Sequence, residues 1–248
     1  MKWRESNGIR WLEADLGGAW AAFSSRLGGA SVGDFESLNL GVLTDDDEES
    51  VRENRRRLSA ALALDPERVV IGRQLHGADV IRHEGPQVPA PWAAAGPEAP
   101  HVDGHVTSEP DLAALVFVAD CLPIALSGPG GVAMLHGGWR GLAAGIVGEG
   151  VEAVGATDAA VGPGIGPCCY EVGEEVLAAF APLGPGLAEG RKLDLPGVAR
   201  ALLERAGVEA IDEAGLCTRC NPELLFSHRG SGGRTGRQAG LVWSESVR

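Results

Sequence analysis

Residues 103–136 read DGHVTSEPDLAALVFVADCLPIALSGPGGVAMLH. Short apolar runs stand at 103–107, 112–119, 123–127 and 131–136, separated by Pro110, Asp111, Asp120 and the Gly-Pro-Gly-Gly of 128–131. Apolar runs of this length between turn residues read as successive strands. Upstream, 68–75 and 79–83 form a further pair of strand-like runs around His76-Gly77, and GAWAAFSS at 18–25 reads as a strand before the loop RLGGASVGDFESLNLG.

The clearest helix runs from Asp45 to Leu64. Asp45, Asp46, Asp47, Glu48 and Glu49 crowd its first turn and Arg52, Arg55, Arg56 and Arg57 follow, an order that complements the helix dipole. Val51, Leu58 and Leu62 share one face. Further helices are predicted at about 141–155, 171–181 and 194–206, the last opened by Asp194 and Pro196. A strand is predicted near 158–162, and VEAIDEAGLC and QAGLVW return to strands at the end. Pro86 to Pro100 is Pro/Ala-rich and reads as a loop. With no internal repeat and no composition break, one α+β domain over 1–248 with a mixed sheet core is predicted.

Composition narrows the partners. A net charge of −13 over 248 residues weighs against binding the phosphate backbone of nucleic acid. The longest apolar run, Leu112 to Ala119, stops at Asp120, far short of the ~18 residues of a membrane span. The first residues carry charges and no apolar stretch typical of a secretory signal. Five Cys in a chain able to bury its own core imply no disulfide framework, so a cytoplasmic protein is expected. The 37 Gly argue for tight turns and against a helical bundle.

Three residues share one setting, a metal-competent side chain closing a strand beside Gly or a Leu-Pro step: His76 in RQLHGADV, Cys121 in VADCLP and His136 in AMLHGGWRG. Two imidazoles and a thiolate can hold zinc and leave a fourth position open. The same residues also suit a nucleophilic Cys–His pair, with Asp120 pointing to the opposite face of an extended chain. A buried structural Cys is the plain alternative for Cys121 taken alone.

Arg26 in SRLGGAS and Arg140 in HGGWRG lie in apolar, Gly-rich surroundings and call for an anionic partner, an internal carboxylate or a bound phosphate. Arg229, Arg234 and Arg237 in SHRGSGGRTGR read as a solvated basic loop, and His101 and His105 as loop histidines. Cys217-x-x-Cys220 is half of a zinc ribbon, but the adjacent Cys168-Cys169 do not match the other half, so no structural zinc is expected there. GPGIGP at 162–167 lacks the Lys-Ser/Thr of a P-loop and reads as a tight turn.

The blocks SSRLGGAS, SLNLG, QLHGADV, DGHVTSEP, ADCLPIAL, HGGWRG, GPGIGPCCYEVG and CTRCNPELLFSHRGSGGRTGRQA, taken in order, resemble the YfiH/laccase-domain family from about residue 24 to 243. The resemblance implies a mixed β-sandwich flanked by helices, similar to certain toxin cysteine deamidases. It carries two functional names, a multicopper polyphenol oxidase and a zinc-associated purine nucleoside phosphorylase. The second acts on adenosine, inosine and methylthioadenosine, with adenosine deaminase activity. Six His, with His83 and His228 outside the three-ligand set, are too few for a blue-copper centre plus a trinuclear cluster, which sets the copper name aside.

Carried over by position, the family's Zn²⁺ site falls on His76, Cys121 and His136, which are also the expected catalytic residues. Arg26 and Arg140 are the candidates for phosphate, and Asn39 in SLNLG for positioning the nucleoside. Two alternatives stand beside this reading: a Cys121-dependent amide hydrolase and a non-enzymatic zinc or redox interaction protein. The chain departs from the family pattern in small ways, with Leu75 where Val is frequent, Gly137 where Ala is frequent, and Arg229-Gly230 where an Arg-Arg pair is common.

Overall fold

The computed structural model describes residues 1–94 and 99–246. In chain order the strands are β1 Lys2–Ser6, β2 Ile9–Asp15, β3 Ala19–Ser24, β4 Val69–Val70, β5 Val80–His83, β6 Gly104–Thr107, β7 Ala113–Val118, β8 Leu122–Gly128, β9 Gly131–Gly137, β10 Asp158–Val161, β11 Ala188–Glu189, β12 Lys192–Leu193, β13 Ala210–Glu213 and β14 Gln238–Ser244. The helices are α1 Glu48–Ala61, α2 Pro91–Ala94, α3 Trp139–Ala144, α4 Ile146–Val154, α5 Glu174–Phe180 and α6 Leu195–Arg205.

Two six-stranded sheets, in the orders β1-β2-β3-β14-β7-β4 and β13-β10-β8-β9-β6-β5, form a sandwich. Both sheets are mixed: β4 with β7, β5 with β6 and β10 with β13 run parallel, and the other pairs are antiparallel. Period-two alternation divides the side chains between layers. On β7, Ala114, Val116 and Val118 face the other sheet, whereas Ala113 and Leu115 face the layer that holds Leu58 of α1. On β9, Val132 and Met134 face inward, and Ala133 and Leu135 meet Ile146, Val147, Val151 and Val154 of α4. Strands covered on both faces must be apolar throughout, which is why this region reads as unbroken hydrophobic runs. Full burial of each large aliphatic side chain there contributes roughly 1.5–3 kcal/mol.

The architecture agrees with the predicted mixed sandwich, and several local elements differ. The first fifteen residues form the hairpin β1–β2, turned by Asn7 and Gly8 at φ 51° and 80°. The run 68–75 pairs as a strand only at Val69–Val70. Beyond it, side-chain amides replace a strand partner: Gln87 bonds both backbone groups of Ile71, and Gln74 bonds both backbone groups of Phe117. The helix expected at 141–155 starts at Trp139 and is split at Gly145, whose φ of 98° no helix interior accepts. Helix α5 is shorter than expected, and the loop 86–100 includes the single turn α2. Helix α1 begins at Glu48, where Asp47 caps it by accepting the Ser50 N–H at 2.8 Å.

Candidate metal and active site

The site forms at one end of the sandwich, where the chain crosses between sheets. Cys121 lies in the turn from β7 to β8, which belong to different sheets, and His136 closes β9 opposite Pro123. His76 stands in the connection between β4 and β5. One ligand atom from each of the three lies within 4.8 Å of the others. The His76 and His136 rings meet edge to face with centroids 4.8 Å apart. His136 is buried, Cys121 half-buried and His76 exposed, so the group opens to solvent on the His76 side.

Asp103, just before β6, holds the arrangement together. It is 1% exposed. Its Oδ1 lies 2.7 Å from His136 Nδ1 and accepts the His76 N–H at 2.8 Å. Its Oδ2 accepts the N–H groups of Leu75 at 3.0 Å and Gly77 at 2.8 Å. His76 adopts φ 63°, and this left-handed residue turns three successive N–H groups onto one carboxylate. Gly138 gives the three side chains room: a Cβ there would sit 3.2 Å from both Cys121 Sγ and His76 Cδ2.

Charge follows from these contacts. Burial alone would push the Cys121 thiol up, but the charge and hydrogen bond of His136, with His76 behind it, bring it well below its ordinary value. Burial alone would push His136 down, but Cys121 and Asp103 raise it. Burial would also raise the Asp103 carboxyl, yet the His136 contact and the Gly77 and Leu75 N–H groups hold it at about 2. Cys121, His136 and Asp103 therefore form a hydrogen-bonded relay in which each member favours the charged form of its neighbour.

The other predicted residues occupy varied places. Arg140, in the first turn of α3, is exposed, stacks over Trp139 at 4.4 Å and has no ion pair among the described residues. Helix α3 runs for only six residues, from Trp139 to Ala144, before Gly145 ends it. Arg26 forms no ion pair among the described residues, although the Glu36 charge acts on it. It donates to Glu36 O at 2.6 Å and Pro222 O at 2.8 Å and lies over Phe226. Asn39 is wholly buried, and its amide is spent inside the protein. It donates to Thr44 and Asp46 and accepts the N–H groups of Gly41 and Arg237, so any effect on a nucleoside passes through that loop.

The terminal basic loop is only partly solvated. Arg234 pairs with Asp34 at the surface, but Arg237 is half-buried, and its guanidinium feels Cys121 and Asp120. Arg229 lies 5.4 Å over Tyr170, whose phenol feels Cys121, Arg229, Arg140 and Asp120 together. Asp120 does turn away from the three ligands. It accepts Thr218 Oγ1, Ser227 Oγ and the Arg229 N–H, which binds the 217–230 segment to the site. Of the two predicted loop histidines, His105 is a core residue of β6, 3.0 Å from His83, and His101 is exposed in a loop. A depression of about 350 Å³, lined by Pro167, Cys168, Leu187 and Lys192 among others, lies away from the three ligands.

Sequence reasoning missed Asp103, Tyr170 and Arg237 as members of the site. The quoted block DGH contains Asp103, but its role runs through backbone N–H groups that leave no mark in a sequence.

The family model described as multi-copper polyphenol oxidoreductase laccase matches residues 20–245. The chain belongs to this laccase-domain family. Among curated relatives, the purine nucleoside phosphorylase YlmD of Geobacillus stearothermophilus is 38% identical over 252 residues, covering 91% of this chain and 90% of its own. The Streptomyces coelicolor purine nucleoside phosphorylase SCO2081 is 40% identical over 242 residues, covering 92% and 96%. The crystal structure of YlmD superposes with a TM-score of 0.88 at 34% identity over 98% of both chains. Within this laccase-domain chain, two groups of described residues bring three or more metal-competent side chains together. One holds two imidazoles and the other none.

Proposed function

We propose that this laccase-domain protein is a purine nucleoside phosphorylase acting on adenosine, inosine and methylthioadenosine, with adenosine deaminase as a side activity, and that Zn²⁺ is held by His76, Cys121 and His136. The observation that carries this reading is a solvent-open His–Cys–His group whose Cys121 acts on Tyr170 together with Arg140, a cation with no carboxylate partner among the described residues. The names borne by YlmD and its relatives support the reaction class.

The donor set fits zinc. Two imidazoles and a thiolate are borderline-soft ligands, and the second nitrogen of His136 is fixed by a carboxylate, as metal-bound histidines require. When bound, the metal supplies Lewis acidity at the open position.

Phosphorolysis forms a bond from a phosphate oxygen to ribose C1′ and breaks the bond from C1′ to purine N9. The chain's task is to hold the two partners together. The Arg140 fork suits phosphate oxygens, Arg229 adds positive potential around Tyr170 and Arg237 adds it around Cys121, and Arg26 offers the guanidinium nitrogen not spent on Glu36 and Pro222. Leu75, 57% exposed beside His76, offers an apolar surface for the base.

Incubation of the pure protein with adenosine, with and without phosphate, and chromatography of the products tests the reading. Adenine that forms only with phosphate supports phosphorolysis, and inosine that forms without it supports deamination. Neither product would refute both.

A second reading draws on the Cys121–His136–Asp103 relay, which is also the geometry of a cysteine hydrolase acting on amides. It expects stoichiometric labelling of Cys121 by a substrate-like electrophile after zinc removal. Full phosphorolysis in a protein so labelled would exclude it.

A further inference from the structure

We infer that Cys168, Cys169, Cys217 and Cys220 form a second metal centre, a closed four-thiolate zinc site that fastens the 164–170 loop to the 216–221 loop. This inference is independent of the nucleoside reading, because none of its ligands belongs to the His–Cys–His group.

The four Sγ atoms all lie within 4.8 Å of one another, and Cys220 Sγ is 3.4 Å from both Cys168 Sγ and Cys169 Sγ. A tetrahedral zinc with Zn–S bonds of about 2.3 Å needs sulfurs about 3.8 Å apart, inside that range. Adjacent cysteines and a Cys-x-x-Cys step do not resemble a paired ribbon in sequence. The fold nevertheless sets them face to face through the parallel bridge between Gly164 and Cys217, reinforced by Thr218 N–H donating to Gly164 O at 3.0 Å.

The surroundings suit bound sulfur. Cys217 Sγ accepts the Gly166 N–H at 3.3 Å and the backbone N–H of Cys220, the pattern of a metal knuckle whose amides orient the sulfur. Gly166 leaves a small cradle, where a Cβ would lie 3.3 Å from Cys217 Cβ and 3.6 Å from Cys168 Sγ. Four soft ligands from one chain fill every tetrahedral position. A closed set of this kind is a structural zinc site and not a catalytic one. Cys168 and Cys220 are exposed, which gives the ion a route in.

Position gives the site a purpose. Thr218, between two of the ligands, donates to Asp120 at 2.5 Å, and Asp120 directly precedes Cys121. Tyr170 directly follows Cys169. Fastening the two loops therefore fixes one wall of the His–Cys–His site from behind.

The test uses the full-length Cys121→Ala protein, in which only these four cysteines remain. After reduction and zinc addition it should retain one equivalent of zinc, and its cysteines should alkylate roughly tenfold or more slowly than in the chelator-treated protein. Loaded with cobalt(II), it should show the intense sulfur-to-metal charge-transfer band of a tetrathiolate. In the otherwise native chain, the Cys217→Ser/Cys220→Ser double substitution should remove one equivalent. A Cys121→Ala protein that takes up no metal overturns the inference even if the double variant fails to fold. Equal alkylation rates with and without zinc overturn it as well.

Discussion

Asp103→Asn puts the organisation of the site to its sharpest test. The carboxylate takes part in four contacts, with His136 Nδ1 and the N–H groups of Leu75, His76 and Gly77, at 2.7–3.0 Å. Asparagine keeps one acceptor oxygen and turns an NH₂ toward donors, so in either orientation two of the four groups lose their partner. At about 1–3 kcal/mol for each unsatisfied group, the loss is roughly 2–6 kcal/mol.

Titration gives a similar scale. A carboxyl held at about 2 instead of 3.8 contributes roughly 2 kcal/mol to folding. Because the folded value is depressed, that contribution is complete above the unfolded value and disappears as pH falls through about 2. At about 2–4 °C per kcal/mol for a chain of this size, the melting temperature should fall by roughly 4–24 °C. His136 also loses its orienting partner, so zinc affinity should weaken about 10–100-fold. Calorimetry at neutral pH and a chelator-competition titration read the two effects. An Asp103→Asn protein with wild-type melting temperature and wild-type zinc affinity would refute the role given to this carboxylate.

Three further outcomes are expected. Gly138→Ala places a methyl 3.2 Å from Cys121 Sγ and His76 Cδ2, so metal affinity measured by competition should drop while urea unfolding stays within about 1 kcal/mol of wild type. Arg140→Lys should raise the Michaelis constant for phosphate with zinc content and melting temperature unchanged, and unaltered phosphate saturation would remove Arg140 from the site. His105 is held neutral by burial, with His83 adding to the effect, at about 3. The unfolded chain takes up a proton below about 6.5 that the folded chain refuses, so stability should fall by roughly 2 kcal/mol from pH 7 to 5. Urea titrations of His105→Leu should show a flatter slope over that range.

How much of this was legible depended on where each signal resides. The sandwich centre was readable because β7, β8 and β9 are covered on both faces, and such strands cannot hide among polar residues. The first hairpin was not, because β1 is largely exposed and its alternation is carried by charged residues; its Asn7-Gly8 turn was the available signal. The segment 71–77 escaped for another reason: amide side chains do the work of a neighbouring strand, and periodicity cannot register that.

The same division governs the site. The grouping of His76, Cys121 and His136 was legible because each carries its chemistry at the end of its own side chain. Asp103 acts by gathering three amide N–H groups and one imidazole, and Asn39 acts by holding the backbone of Arg237, so neither residue announces its task. The proximity of Cys168, Cys169, Cys217 and Cys220 was not legible because ligand spacing was sought along the chain. The contact that assembles it is a backbone bridge from Gly164 to Cys217, and the fold had to form before those sulfurs could share a neighbourhood. One consequence is physical and directional. If the 164–170 and 216–221 segments meet only after the sheets have paired, metal uptake by the four cysteines must follow folding of the sandwich, whereas His136 and Cys121 are placed by sheet pairing itself.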